Sequence, residues 1–564
     1  MEGFKNKRIL FVCRETYSKP LWFLAKEYAK DNEVAAFYIM STECCYNKCL
    51  YNENTIYKFK EDLPEVKLYD VKDICFKYTE DLKNKPKKKP TSKNPYNVVY
   101  GNKEKAGKFE NNTYYSPVDI EYLEGIEEKY THFKNLNLQL MSSQENTRHY
   151  HFRYYWQYTD YDENLYWIEL NYKKVIGIID EFKPDMVLDF NDAELQRTIM
   201  NEVCTERKIP YITIEYSKFG YYKLPALHNT LGIDGYVRKR YEENLNRPKE
   251  ELKEMYDYIM DFRSKNSIMN AEFKNTVTGK YKKDTLEQLA KEMLGKYIYF
   301  WNQDHTAGNA ALKKTDKRLY AETKAYIRHY WQVNLLRRKF LDKNDIFENP
   351  VEGENYVYMP LHLIPESTVF IKGSYYIDEL NLIEQISKSL PIGWKIYVKE
   401  HQAMLGERSV EFYKKVKEIH NVRLVQINYY DDPKPWIMNA KGVATIVGTT
   451  AYEEALLGRK ALVFGEVPFT LMDGITQVKN LEDLPKLIKD FGETDNIQSC
   501  AAYLQTVKDL GFEIDVFYLM DEADKILAGK KQADSKFLSQ IEELDKFYHA
   551  GLRHAEEEYG KEGL

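Results

Sequence analysis

Short apolar runs alternate with stretches of helical spacing along most of this chain, and polar turns separate the two. Arg8–Val12 (RILFV) is a continuous apolar run of the buried-strand type. The polar turn Cys13–Ser18 follows, and Pro20–Lys30 then carries Leu21, Leu24, Ala25 and Tyr28 on one helical face. Val34–Met40 is a second apolar run, so the opening reads β-α-β and predicts a parallel sheet. The alternation resumes with a helix at Tyr166–Phe182, stopped by Pro184, and a strand at Met186–Phe190 (MVLDF). A helix at Ala193–Arg207 and a strand at Ile209–Glu215 come next, and Tyr236–Val237 is read as closing the sheet.

A second alternation starts near Asn355. Its predicted strands are Tyr356–Pro360, Trp394–Lys399, Val422–Ile427, Gly442–Val447 and Ala461–Phe464. Helices are predicted between them at Tyr376–Leu390, Ser409–Ile419, Pro433–Ala440 and Thr450–Leu457, and after them at Leu481–Phe491, Ile497–Leu510 and Asp534–Glu558. Arg247–Lys343 is charged, periodic and poor in Gly and Pro, which reads as helices. The pattern predicts an α/β protein of two Rossmann-like lobes whose parallel sheets face a cleft, plus a helical insertion. Residues 1–245 form the first lobe, 246–350 the insertion or bridge, 351–492 the second lobe and 493–564 the C-terminal helices. Open parallel sheets bind ligands at the carboxyl ends of their strands, so two facing edges suit a two-substrate transfer.

Composition narrows the function. The chain has 564 residues, is 43% hydrophobic and carries a net charge of −6, so no global basic field points to nucleic acid. Its 48 Tyr pair a buried ring with a polar tip, which suits sugar-binding clefts; a bias of composition is the plainer reading. Seven scattered Cys, with Cys44, Cys45 and Cys49 as the one cluster, fit reduced thiols rather than a disulfide framework. No signal-peptide pattern and no membrane-length apolar run is visible, which predicts a cytoplasmic protein. The Lys/Pro-rich stretch at 83–108 reads as an exposed insertion. It is a candidate for peripheral contact with the inner face of a membrane, against the plainer reading of a solvated loop.

The polar residues at the predicted strand ends carry the chemistry. Gly448-Thr449-Thr450 precedes a helix, whose free N–H groups and positive dipole end suit a phosphate. Thr450 and Glu453 match a capping box, and Glu454, in the same first turn, is a candidate for ribose hydroxyls. His401, with Lys399 and Arg408 nearby, is placed to meet a phosphate or leaving-group charge. His362 and Glu366 lie in the loop after Tyr356–Pro360, at the same edge. In the first lobe Glu15, Asp189, Asp192 and Glu215 are strand-end carboxylates able to act as a general base. Asp192 ranks first because it stands past the strand end, whereas Asp189 alternates into the sheet; helix N-capping is the competing role for Asp192. No G-x-G-x-x-G, phosphate-loop motif or Ser-His-Asp set appears, and His149-x-His151 lacks a nearby third metal ligand.

Three segments in order, PLHLIPES, LPIGWKIYVKEHQAMLGERSVEFYKKV and ATIVGTTAYEEALLGRKALVFG, resemble the capsule polysaccharide biosynthesis proteins that include bacterial Kdo transferases. The resemblance covers the second lobe; the first matches in general pattern. It implies a metal-independent GT-B glycosyltransferase with no cofactor beyond its nucleotide-sugar co-substrate, CMP-linked by preference. The acceptor would be a growing surface polysaccharide or glycolipid. It carries His401 over as a donor-phosphate or nucleotide contact, Thr449 and Thr450 as the hydroxyl pair at the nucleotide phosphate, and Glu454 as the ribose contact. The family's His-Pro is His401-Gln402 here, which leaves the donor open. Two other readings fit the same scaffold: a nucleotide-sugar epimerase, and a non-catalytic glycan-binding assembly protein.

Overall fold

The computed structural model describes residues 4–39, 55–71, 118–139, 161–191, 195–228, 232–268, 346–364, 367–404, 410–427 and 432–560, with a few isolated positions between these spans. Asp192, Glu366, the Cys44–Cys49 cluster, His149-x-His151, the 83–108 insertion and most of 269–343 lie outside them, as does the side chain of Glu15.

Two sheets organise the molecule. The first contains β1 (Arg8–Cys13), β2 (Glu33–Tyr38), β3 (Lys67–Asp70), β4 (Met186–Leu188), β5 (Tyr211–Tyr216) and β6 (Tyr222–Ala226). The second contains β7 (Tyr356–Pro360), β8 (Lys395–Lys399), β9 (Val422–Val425), β10 (Gly442–Thr445), β11 (Ala461–Val463) and β12 (Ile475–Gln477). A last short strand, β13 (Phe512–Glu513), returns to the first sheet. The architecture is therefore α/β with two Rossmann-like lobes.

The orders are β13-β6-β5-β4-β1-β2-β3 and β12-β11-β10-β7-β8-β9. In the second lobe every pairing is parallel, and the strands fall in the doubly wound order 3-2-1-4-5-6 when counted from β7. The first lobe repeats that order through β5 and then adds two antiparallel strands. Central strands such as β1 and β10 are apolar along most of their length, Arg8 and Thr445 being the polar ends, because helices cover both faces of a parallel sheet.

Tyr236 and Val237 do not close the first sheet. They lie in the first turn of the helix Gly235–Leu245, and β6 and β13 form the edge instead. The helix Lys253–Ser264 buries Met255, Tyr256, Ile259 and Phe262 in the core of the second lobe. The helices Val516–Leu527 and Ser535–Tyr559 cross back and bury Leu519, Phe537, Leu544 and Phe547 in the core of the first. Tyr548 Oη donates to the Asp189 carbonyl at 2.7 Å and Tyr28 Oη to Asp545 at 2.6 Å, which fastens the terminal helix to the first lobe. Among the described residues no helix is long and apolar enough to cross a membrane.

Candidate functional site

The doubly wound order separates the connections leaving β7 and β10, and this opens a crevice at the carboxyl edge of the second sheet. His362, two residues past β7, is buried there at 8% exposure. Its Nδ1 lies 3.1 Å from Glu379 Oε1, and its Nε2 lies 3.2 Å from Thr445 Oγ1 and 3.4 Å from Val447 N. The Val447 N–H can only donate, so Nε2 accepts and Nδ1 carries the proton toward Glu379; this tautomer follows from the partners. The Gly448 N–H donates to Thr445 Oγ1 at 3.1 Å. A chain of hydrogen bonds thus runs from Gly448 through Thr445 and His362 to Glu379, linking the two exits across the crevice.

Glu379 joins the third exit as well. Arg408 is fully buried, 2.6 Å from Glu379 and 2.9 Å from Glu400, and its Nη2 donates to the His362 carbonyl at 2.7 Å. Tyr413 Oη donates to Glu400 at 2.8 Å. Burial pushes the Glu379 carboxyl up, but Arg408 and His362 outweigh it and hold the group below its ordinary range. At Glu400 burial wins over Arg408 and the group is raised. Arg408 is therefore buried between two carboxylates rather than exposed at the strand end, which places it in support of the loops instead of among the exposed donor-contact candidates. A guanidinium forks between two carboxylates more favourably than it would stand in water-free surroundings alone.

The exposed side of this edge holds other candidates. His401 is exposed, and its backbone N–H donates to Glu400 Oε1 at 2.7 Å. Lys399, half-buried at the end of β8, has its pKa lowered by burial, with Glu453 opposing the shift. Thr449 and Thr450 are half-exposed at the start of the helix Thr450–Leu456. The capping box does not form: Thr449, not Thr450, occupies the N-cap position, in helical geometry and without a side-chain bond. Burial raises the Glu453 carboxyl to about 8, with Asp432 adding to the rise and Lys399 opposing it. Glu454 is also corrected. It is fully buried and paired with Arg459, whose Nε lies 3.3 Å away, rather than exposed at the start of the helix.

The structure thus joins His362, Arg408 and Gly448 in one buried network and sets His401, Lys399, Thr449 and Thr450 around its rim. Glu379, Glu400 and Thr445 escaped the sequence reading, although Glu400 stands beside His401 and Thr445 three residues before Gly448. In the first lobe Asp189 is fully buried, 2.7 Å from Arg197 Nε and 2.6 Å from Tyr211 Oη, as its alternation into the sheet predicts. Glu215, at the end of β5, pairs with Lys372 of the second lobe and lines a cavity between the lobes.

No protein-family model matches the chain, and no curated protein matches it. Among solved structures the chain is similar to the Thermosulfurimonas dismutans KpsC beta Kdo 2,7 transferase, at 12% identity and TM-score 0.26 over 59% of this chain and 79% of that one. It is also similar to the UDP-GlcNAc 2-epimerase from Neisseria meningitidis bound to UDP-GlcNAc, at 11% identity and TM-score 0.24 over 89% and 98% of the two chains. The S. aureus MnaA–UDP co-structure gives 10% identity and TM-score 0.25 over 94% and 99%. At such identities and scores the likeness transfers no chemistry to this chain.

Proposed function

We propose that this protein is a sugar-active enzyme, a glycosyltransferase that moves a sugar from a nucleotide-sugar donor, CMP-linked by preference, to a surface polysaccharide or glycolipid acceptor. The observation that carries the reading is the lacing of the β7, β8 and β10 exits by Glu379, His362, Thr445 and Arg408. That network fixes three loops at the switch point, and preorganised donors are what stabilise charge developing on a leaving group. His401, Lys399, Thr449 and Thr450 then meet the donor phosphate, with the backbone at Gly448 close by. The glycosidic bond to the phosphate breaks, the acceptor oxygen bonds to the sugar carbon, and the acceptor proton passes to a first-lobe carboxylate, Asp192 or Glu15. The departing nucleotide keeps the bonding electron pair.

Calorimetric titration of the purified protein with CMP, UDP, GDP and their sugars, followed by turnover with an acceptor, tests this. Nucleotide-sugar binding that weakens in both His401→Ala and Thr449→Ala supports the site; full donor binding in both overturns it. Donor consumed without acceptor identifies an epimerase, and glycan binding without nucleotide affinity an assembly protein.

A further inference from the structure

A separate group of side chains gathers where the two lobes meet. His228 lies two residues past β6, Asp234 immediately precedes the helix Gly235–Leu245, and Glu558 sits in the last turn of the terminal helix. One ligand atom from each falls within 4.8 Å of the other two. His228 Nε2 is 2.9 Å from Glu558 Oε1. Asp234 is 8% exposed; one carboxylate oxygen accepts from the Leu227 N–H at 3.0 Å, and the other, Oδ1, is buried with no hydrogen-bond partner among the described residues. His228 and Asp234 line the interlobe cavity, which Glu215 and Pro468 also border.

A buried carboxylate oxygen with no partner is costly. Glu215 shares the cavity, but its charge is met by Lys372 from the opposite lobe. Among the described residues no Lys or Arg forms an ion pair with Asp234. One imidazole nitrogen and two carboxylate oxygens form a familiar ligand set for borderline divalent ions, with positions left open for water or substrate. Bonds of about 2.0–2.1 Å in a tetrahedral site put ligand atoms about 3.3 Å apart. Small side-chain rotations would bring the three groups to that spacing.

We propose that His228, Asp234 and Glu558 bind a divalent cation of the zinc–cobalt class. The ion completes the coordination of the orphaned Asp234 oxygen and ties the exit of β6, the start of the helix Gly235–Leu245 and the end of the terminal helix together. Its open positions face the cavity between the lobes. The site is independent of the donor reading, since none of its ligands belongs to the second sheet. The sequence shows only His228 and Asp234 as near neighbours, with Glu558 far along the chain, because β6 and the terminal helix must first be brought together.

The test uses the full chain, stripped with a chelator and titrated with Co²⁺. The expected result is saturable binding with the visible bands of a nitrogen–oxygen site and no thiolate-to-cobalt band. Asp234→Asn keeps an oxygen for the Leu227 N–H but loses the ligand charge. Its Co²⁺ affinity should fall by about tenfold or more, since even changes outside the ligand shell cost that much. Glu558→Gln, at the end of a helix and one-third exposed, should weaken binding similarly, and it decides the matter if Asp234→Asn does not fold. Binding unchanged in both variants, bands of thiolate ligation only, or no saturable binding would overturn the proposal.

Discussion

Arg408 serves Glu379 and Glu400 together, so its removal strands two buried carboxylates at once. Arg408→Met should cost about 3–5 kcal/mol in denaturant unfolding, the usual penalty for breaking a buried ion pair from one side. His401→Ala, at an exposed position on the same loop, should stay within about 0.5 kcal/mol of the parent. The contrast separates the supporting layer from the contact layer. Glu454 gives a pH prediction. Burial raises its carboxyl to about 8, and Arg459 only partly opposes this; its Oε2 has no hydrogen-bond partner among the described residues. A carboxyl held above its ordinary value of 4.5 favours the folded state while protonated in it. That contribution is complete below about 4.5 and is lost as the pH climbs toward 8. Glu454→Gln removes the titration, so its stability relative to the parent should rise across that window by at least about 1 kcal/mol in paired melts. Arg408 and Glu454 looked like surface contacts in the sequence because spacing gives a residue's distance from a strand end but not the side of the turn it takes.

Gly448 shows what the element requires. A Cβ there would stand 2.4 Å from Thr445 Oγ1, the hydroxyl that passes the hydrogen bond on to His362. Gly448→Ala should therefore displace Thr445 and loosen the β10 exit. Unfolding should cost roughly 1–3 kcal/mol less than in the parent, and amide exchange should accelerate at 445–450 more than elsewhere in the sheet. The parallel strands were legible because each is an apolar run between helices, and β8 and β10 stand within two residues of their predicted ends. The antiparallel edge was not. β6 reads YKLPA, and Pro225 argues against a strand held on both sides. The structure resolves this locally: β13 pairs only with Tyr222 and Lys223, so the missing N–H of Pro225 faces no partner strand. The capping box failed for a comparable reason, since the helix begins one residue earlier than the motif needs.

Across the whole molecule, the two-lobed plan follows from the repeated alternation, but the division of the cores does not follow the order of the chain. Lys372 and Glu215 join the lobes through a nearly buried ion pair. Lys372→Met removes this interlobe ion pair and should widen the spread of lobe orientations, read as a larger radius of gyration in solution scattering. The returning helices have a further consequence, one of time rather than space. The second core draws on residues between Leu224 and Val507, whereas the first needs Phe4 at one end and Ala555 at the other. At about 5–20 residues per second on the ribosome, the lobe encoded first must wait for nearly the whole chain, and the lobe encoded second closes before it. Chains truncated near residue 515 and released from the ribosome should hold a protease-resistant second lobe and a digestible first lobe, so the molecule is built in the reverse of the order in which it is read.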